Sequence, residues 1–229
     1  MILPNIRPHP KFVNVFISGS SEKLKLYTKN LDKGNVIYGE KIILKMDEEF
    51  RLWDPYRSKL AALILKGAQK IYLERKTTCL YLGASTGTTI SHISDIVSNG
   101  LIFGVEISER SLRQLIQNTT SRKNIIPILG NALNPQEYSM LIYKPVDLIY
   151  QDVSHPEQAN IAIRNAKLYL KEGGKIILFI KSQSIKSTEK PKEIFKNELN
   201  TLKNADLKVL EKISIDSYAG GHLGVFLEK

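Results

Sequence analysis

The chain has few residues that could cross-link it, hold a metal cluster or anchor it in a membrane. Cys79 is the single cysteine among 229 residues, which excludes an intramolecular disulfide and a multi-cysteine zinc site. No run of about 18 consecutive apolar residues occurs, so we expect no transmembrane helix, and residues 1–10 do not have the pattern of a signal peptide. No His, Cys and carboxylate cluster has metal-ligand spacing. We therefore expect a metal-free protein of the reducing cytoplasm, without a membrane partner.

Acidic residues are outnumbered by basic ones. The chain carries 33 lysines and arginines against 23 aspartates and glutamates, for a formal net charge of +10. Most of the excess lies in residues 1–78, which hold 15 basic and 8 acidic side chains. A basic surface attracts polyanions such as nucleic acids. Composition alone gives equal weight to a well-solvated, lysine-rich surface, and there is no long lysine- and arginine-rich arm.

The first quarter of the chain has the pattern of a small antiparallel sheet. Short apolar or alternating runs are separated by turn residues, which predicts strands over 12–17, 23–29, 36–38 and 42–44. We assign this sheet to an N-terminal domain spanning 1–54. A helix is predicted to begin near Asp54 and Pro55, because aspartate is a good N-cap and proline suits the first helical position. Its apolar face would comprise Leu60, Leu63, Ile64, Ala68 and Ile71.

Strands and helices alternate from Cys79 onward, which predicts a mostly parallel sheet with helices on both faces. The predicted strands span 79–83, 101–105, 125–129, 146–153, 175–181, 208–215 and 222–227, and the predicted helices span 88–97, 109–118, 156–170 and 188–204. Only residues 216–221 separate the last two strands, so we expect those strands to pair antiparallel. The second domain, 55–229, is therefore predicted to be an α/β domain with the Rossmann-like fold typical of methyltransferases.

A loop with two glycines follows the first strand of this second domain. Gly83 and Gly87 allow the backbone to turn sharply and approach a ligand, at the edge where open α/β sheets bind ligands. Glu106 ends the next strand, 19 residues beyond Gly87, where a carboxylate commonly accepts hydrogen bonds from both ribose hydroxyls of a nucleoside cofactor. The spacing departs from the G-x-G-x-x-G pattern of NAD-binding proteins. The spacing favours a loop that binds S-adenosyl-L-methionine, with Gly83 and Ala84 around the amino-acid moiety of the cofactor. The alternative is a plain turn that binds no ligand.

The ends of the following strands supply further candidate residues. Asn131 follows the third strand, where it could donate to adenine or accept from it, and its alternative role is that of a loop asparagine. Asp152 and Lys181 each end a long apolar run. A neutral Lys181 could take a proton from a hydroxyl nucleophile while Asp152 orients the amine. Burial lowers the pKa of a lysine whereas a nearby carboxylate raises it, so the sequence leaves that balance open, and Asp152 could instead be a purely structural carboxylate.

Four runs of the sequence form a characteristic set. They read W-D-P-Y-R-S-K-L-A-A at 53–62, G-A-S-T-G-T-T-I-S-H at 83–92, G-V-E at 104–106 and D-L-I-Y-Q-D-V at 147–153. Together they resemble fibrillarin of the archaeal form, the RNA ribose 2′-O-methyltransferase of box C/D ribonucleoproteins. The resemblance implies that the cofactor is held by Thr88, Thr89, Glu106, Ile107, Asn131, Ala132, Asp152, Val153, Ser154 and His155. It also implies a catalytic core of Lys59, Asp152 and Lys181, with His222 in a fourth position.

Some of these positions would be interpreted differently without the resemblance. Lys59 would be an exposed helical lysine and His222 a histidine at a strand edge. The chain also departs from the family, because Asn131 replaces the usual aspartate, and Ser154 and His155 replace the usual alanine and glutamine. The first departure changes the predicted hydrogen bond to adenine.

The resemblance implies a specific reaction and specific partners. The reaction is guide-RNA-directed ribose 2′-O-methylation of rRNA and tRNA, with S-adenosyl-L-methionine as the methyl donor. The partners are a box C/D guide RNA, the target RNA, a Nop-type scaffold protein and a kink-turn-binding protein. The alternatives are a methyltransferase acting on protein, including glutamine side chains, and a catalytically silent subunit of the same particle. The basic charge disfavours a small-molecule substrate, and the glycine spacing disfavours an NAD-dependent oxidoreductase.

Overall fold

Two β-sheets organise the chain. The computed structural model describes residues 4–20 and 23–229, so the first three residues of the predicted N-terminal domain and residues 21–22 of its sheet region lie outside the described part. The N-terminal sheet has five antiparallel strands in the order β1-β2-β3-β5-β4. They span Arg7–Pro8 (β1), Val15–Ser18 (β2), Lys25–Lys29 (β3), Ile42–Lys45 (β4) and Glu48–Trp53 (β5).

Two details of this sheet differ from the sequence-based prediction. The predicted strand over 36–38 is absent, because the carboxylate of Glu40 accepts the main-chain N–H groups of Ile37 and Tyr38 and so takes donors that a strand would use. The sequence interpretation also missed β1 and β5. Met46 and Asp47, both with positive φ, form the two-residue turn that joins β4 to β5.

The first helix is shorter than predicted. It begins at Lys59 instead of Asp54, and α1 spans Lys59–Leu65. Residues 54–57 form a turn in which Asp54 Oδ1 accepts the N–H of Tyr56 at 2.9 Å. The helix ends because Gly67 adopts a left-handed conformation with φ of +91°, which is a common helix stop. The two last residues of the predicted apolar face, Ala68 and Ile71, are buried beyond the end of the helix.

The second sheet confirms the predicted α/β architecture. Its seven strands lie in the order β11-β12-β10-β9-β6-β7-β8, with β6 to β10 parallel and β12 antiparallel to both of its neighbours. The strands span Thr78–Leu82 (β6), Leu101–Glu106 (β7), Ile125–Leu129 (β8), Val146–Gln151 (β9), Leu170–Lys181 (β10), Lys208–Ser214 (β11) and His222–Glu228 (β12). Asp152 therefore lies just beyond the end of β9, not within it.

Helices cover both faces of this sheet. They span Thr88–Ile96 (α2), Glu109–Thr119 (α3), Gln158–Tyr169 (α4), Ser182–Ile185 (α5) and Pro191–Lys203 (α6), with a 3-10 helix at Pro135–Leu141. Successive side chains of β6 point into two different cores. Tyr81 packs in the core beneath α1 and α2, whereas Leu80 and Leu82 pack in the core beneath α4. Within the described residues, no helix is long and apolar enough to cross a membrane.

A buried polar network joins the N-terminal sheet to α2. Asp95 on α2 pairs with Arg51 at 2.8 Å and with Arg122 at 2.6 Å, and all three side chains are fully buried. Thr28 donates to Asp95 at 2.7 Å. Burial, together with the two arginines, holds the pKa of the neighbouring His92 well below its usual value, so this imidazole is neutral. The network fixes the helix whose first residues line the site described next.

Candidate functional site

A cleft of about 560 Å³ opens at the carboxyl ends of the parallel strands. A cleft of that size is within the range of small-molecule sites in proteins. It is lined by all twelve residues that the sequence assigned to cofactor binding: Gly83, Ala84, Thr88, Thr89, Glu106, Ile107, Asn131, Ala132, Asp152, Val153, Ser154 and His155. The roles of these residues remain predictions, but one cavity brings them together.

The glycine loop between β6 and α2 is shaped by two positive φ angles. Gly83 has φ of +84°, and a Cβ atom there would lie 2.8 Å from the main-chain oxygen of Asp152. Only glycine fits such an approach, which places the loop directly against the end of β9. Gly87, with φ of +110°, turns the chain into α2. The free N–H groups of the first turn, which includes Thr88 and Thr89, suit an anionic group such as a carboxylate.

Glu106 is held rigidly at the end of β7. Its Oε2 accepts the N–H of Ser85 at 2.7 Å, and its Oε1 accepts the N–H of Ser108 at 2.9 Å. Each carboxylate oxygen keeps a second acceptor position, so two ribose hydroxyls could still be bound. The next residue, Ile107, is 66% exposed. A large aliphatic side chain so exposed at the cleft offers an apolar surface to a planar ring.

The loop after β8 orients the side chain of Asn131 so that its amide NH₂ can donate a hydrogen bond. Its side-chain oxygen accepts the N–H of Leu133 at 3.0 Å, which leaves the amide NH₂ available. Of the two adenine contacts that the sequence allowed, donation to a ring nitrogen is therefore favoured. The carbonyl of the neighbouring Ala132 accepts a hydrogen bond from Asn165 of α4 at 2.8 Å, which fixes this part of the cleft wall.

Three charged side chains meet in the cleft wall. Lys59 Nζ lies 2.9 Å from Asp152 Oδ2, and Lys181 Nζ lies 2.7 Å from Asp152 Oδ1. Lys181 also donates to the main-chain oxygen of Asp152 at 3.0 Å and to Ser154 Oγ at 3.1 Å. The three residues come from α1, the position just after β9 and the end of β10. The structure thus joins the residues that the resemblance named as a catalytic core, although 93 positions separate Lys59 from Asp152.

The pKa of Lys181 is lowered from the usual lysine value. Burial is the largest cause, the second cation Lys59 acts in the same direction, and the carboxylate of Asp152 opposes both. The sequence left open whether burial or the nearby carboxylate dominates the pKa of Lys181. In the structure burial dominates, so Lys181 loses its proton more easily than an ordinary lysine. Gln158 positions this end of β10, because its Oε1 accepts the N–H of Lys181 at 2.8 Å. A main-chain hydrogen bond of this kind holds Lys181 without changing its charge.

His222 occupies a neighbouring position outside the cleft wall. It lies directly opposite Lys181 in the antiparallel pairing of β10 and β12. Its Nδ1 contacts the carbonyl of Gly220 at 2.8 Å, so Nδ1 carries the hydrogen and Nε2 is the free acceptor. Burial is the main cause that lowers the pKa of His222, and Lys59 and Lys181 add to it. A neutral histidine therefore stands beside the lysine pair, but it does not line the cavity as the other three residues do.

The sequence interpretation missed several residues of the cleft wall. They are Arg57, Tyr81, Ser85, Thr86, Val105, Gly130 and Ile161. Most are direct neighbours of motif residues and could have been found from that adjacency. Ile161 could not, because it reaches the cleft from α4 by tertiary packing alone. Among the described residues, no group of three or more His, Cys, Asp and Glu side chains could hold a metal ion.

Comparisons with known proteins agree with this geometry. The sequence model of the fibrillarin family matches residues 6–229. A fibrillarin-like rRNA/tRNA 2′-O-methyltransferase of Methanocaldococcus jannaschii is 44% identical over 213 residues, which cover 93% of this chain and 92% of that protein. The structure of Aeropyrum pernix fibrillarin with natively bound S-adenosyl-L-methionine is similar, with a TM-score of 0.90 and 39% identity over 97% of each chain. A fibrillarin/Nop5p complex gives a TM-score of 0.82 and 40% identity over 89% of this chain and 93% of that one.

Proposed function

The chain belongs to the fibrillarin family, and from this premise we propose that it methylates ribose 2′-hydroxyl groups of rRNA and tRNA with S-adenosyl-L-methionine. The observation that carries the proposal is the contact of Lys59 and Lys181 with the two carboxylate oxygens of Asp152 in the cleft wall. The name of the Methanocaldococcus relative and the cofactor bound to the Aeropyrum protein support it.

The groups that line the cleft suit the cofactor in charge and polarity. Glu106 is already oriented by two main-chain donors, and its remaining acceptor positions suit a ribose. The start of α2 suits the carboxylate of the amino-acid moiety, Ile107 offers an apolar surface, and Asn131 offers an amide donor. When bound, S-adenosyl-L-methionine would supply a methyl group on a positively charged sulfur, and a nucleophile that bonds to this methyl carbon displaces the sulfur as a neutral thioether.

The protein contributes proton transfer and positioning. In the proposed reaction the 2′-oxygen forms the new bond to the methyl carbon, the carbon–sulfur bond breaks, and the hydroxyl proton passes to neutral Lys181. A general base contributes most when its pKa lies near the working pH, and burial brings Lys181 toward that range. Asp152 holds both amines in place, and the positive charge of Lys59 helps to lower the pKa of Lys181.

The partners follow from the family and from the charge of the chain. A solved fibrillarin is in complex with Nop5p, so a Nop-type scaffold is the expected protein partner, with RNA as the substrate. We extend this to a box C/D guide RNA and a kink-turn-binding protein in the same particle. A net charge of +10 without a basic arm supports modest, salt-sensitive phosphate binding, which leaves the choice of target to the other components.

The proposal is tested by transfer of labelled methyl groups to a guide-matched RNA in the assembled particle. Wild-type protein is compared with Asp152→Asn and Lys181→Met. The matched control is Asp147→Asn, because Asp147 stands at the other end of β9 and pairs with Lys171. A second RNA carries a 2′-deoxy sugar at the target position.

Label on the ribose RNA alone, retained in the Asp147→Asn control and lost in both cleft variants, is the expected result. Equal labelling of the 2′-deoxy RNA would place the methyl group elsewhere and refute the proposal. Cofactor binding and particle assembly without any transfer to RNA would favour the silent-subunit alternative. Label on protein instead of RNA would favour a protein methyltransferase.

A further inference from the structure

One cation of the cleft has no role in the proposed reaction. The lysine and arginine side chains that line the cleft are Arg57, Lys59 and Lys181. Asp152 pairs with both lysines. The side chain of Arg57 is exposed, and among residues 4–20 and 23–229 no carboxylate forms an ion pair with it. Arg57 therefore brings a positive charge and unused hydrogen-bond donors to the cleft.

The surrounding structure orients Arg57. Its guanidinium carbon lies over the ring of Tyr38, 5.8 Å from the ring centroid, which is within the range of a cation–π contact. The Tyr38 hydroxyl donates to the main-chain oxygen of Leu52 at 3.1 Å and lies 2.8 Å from His92 Nε2, so the ring is fixed. The N–H of Arg57 donates to the main-chain oxygen of Asp54 at 3.1 Å. A side chain supported in this way loses little conformational entropy when it binds a ligand.

The substrate of the proposed reaction brings an anion to the same cleft. A ribose whose 2′-hydroxyl reaches Lys181 carries a phosphate on each side, and its 3′-phosphate is attached to the carbon next to the 2′-carbon. Lys59 and Lys181 are already engaged by Asp152, so Arg57 is the cation left for a phosphate. The carboxylate of the cofactor has a separate partner in the N–H groups at the start of α2.

We propose that Arg57 binds one of the two phosphates that flank the target ribose and so positions the 2′-hydroxyl at Lys181. This inference rests on the proposed function. Arginine suits the role because its planar guanidinium donates two parallel hydrogen bonds to a phosphate. Such a contact positions RNA without reading its sequence. Base pairing with a guide leaves the phosphates on the outside of the duplex, so the contact is compatible with a guided target.

The first test compares wild-type protein with Arg57→Gln in the assembled particle. The readout is the single-turnover rate of methyl transfer at saturating RNA, because pairing with the guide holds the RNA in both particles. Loss of a charge-assisted hydrogen bond predicts a fall of about 5- to 50-fold, and Arg57→Lys, which keeps the charge without the planar group, should fall less. The matched control is Arg75→Gln, which removes an exposed arginine three positions before β6, at the opposite end of the sheet. A wild-type rate for Arg57→Gln would overturn the inference.

Target RNAs with a single phosphorothioate identify the phosphate. Sulfur accepts hydrogen bonds less well than oxygen, so each flanking phosphate is replaced in turn and the two diastereomers are separated. At the phosphate that Arg57 binds, one diastereomer should slow the wild-type protein but have no further effect on Arg57→Gln, because both changes remove the same interaction. Equal slowing of both proteins by every phosphorothioate, or slowing of neither, would overturn the inference.

The salt dependence of RNA binding separates this inference from the proposed function. Binding of the target RNA to the particle is measured without S-adenosyl-L-methionine, so that no transfer occurs. Each phosphate contact contributes about 0.7–0.9 to the slope of log affinity against log salt concentration. Arg57→Gln should reduce the slope by that amount and Arg75→Gln should not, even if the wild-type particle is inactive. An unchanged slope with a higher Kd for S-adenosyl-L-methionine would contradict the inference and assign Arg57 to the carboxylate of the cofactor.

Discussion

Lys181 contacts Asp152 through two independent groups. Its Nζ lies 2.7 Å from Oδ1 of the carboxylate and donates to the main-chain oxygen of the same residue at 3.0 Å. The second contact does not depend on the charge of Asp152. A substitution that neutralises the carboxylate therefore removes charge from the site while a hydrogen bond still positions the lysine.

Replacement of Asp152 by asparagine is expected to reduce catalysis more than cofactor binding. Asn keeps the size of the side chain and one acceptor but no longer attracts both amines. We expect kcat to fall by about 100-fold or more, as for the loss of groups that assist proton transfer. Single-turnover methyl transfer and calorimetric titration with S-adenosyl-L-methionine measure the two quantities. A loss confined to cofactor affinity would show that Asp152 serves binding alone.

The rate should rise with pH, with an inflection below the usual lysine pKa. Lys181 acts as a base only when it is neutral, and burial together with Lys59 lowers the pKa of Lys181. Neutralising Lys59 with Lys59→Met should raise the pKa of Lys181, so the rising limb should move to higher pH. The measurement is the single-turnover rate from about pH 6 to pH 10, normalised to its plateau, since positioning also changes the rate.

The control for that profile is Lys66→Met, which removes an exposed lysine just beyond the end of the same helix. Its profile should overlay that of the wild type. A shift of the Lys59→Met profile to lower pH, or no shift, would argue against the electrostatic role of Lys59.

Glu106 is expected to be essential for cofactor affinity. Its carboxylate is fixed by Ser85 and Ser108, and hydrogen bonds to charged groups contribute about 1.5–3 kcal/mol each. Glu106→Ala should raise the Kd for S-adenosyl-L-methionine by about 10- to 100-fold. Glu109→Ala, which removes an exposed carboxylate paired with Arg113, should leave the Kd unchanged. Similar Kd values for the two variants would rule out the ribose contact. In a separate test of the choice of cofactor, NAD should not raise the melting temperature of the wild type.

Removal of one charge from the buried network beneath α2 is expected to destabilise the fold far more than removal of one exposed charge. Asp95→Ala would leave Arg51 and Arg122 buried without their shared partner. Breaking a buried ion pair in this way costs about 3–5 kcal/mol, whereas Glu109→Ala removes an exposed i,i+4 pair that contributes about 0.3–0.5 kcal/mol. Urea unfolding gives both free energies. Equal changes in the two variants would mean that water enters the network and screens its charges.

Much of the site could be predicted because it depends on local sequence. Gly83 and Glu106 mark the ends of β6 and β7, and parallel strands bring such ends to one edge of the sheet. The start of α1 was wrong because Asp54 caps a turn instead of the helix. The strand over 36–38 was wrong because Glu40 takes its donors.

The remaining features depend on contacts between distant positions. Arg51 would be interpreted as an exposed strand residue, since its partner Asp95 is 44 positions away. Lys59 likewise has no local feature that distinguishes it from a solvated helical lysine. Its approach to Asp152 is visible only in the folded chain, and the sequence suggested it through family resemblance alone.

The most direct test of the account is the chemical position of the methyl group on RNA. The assembled particle is incubated with labelled S-adenosyl-L-methionine and guide-matched RNA, and the product is hydrolysed with alkali. A 2′-O-methyl group blocks cleavage of the adjoining phosphodiester, so the account predicts label in an alkali-resistant dinucleotide at the target. Label released in mononucleotides would mean that a base was methylated, and would contradict the assignment of the cleft to ribose chemistry.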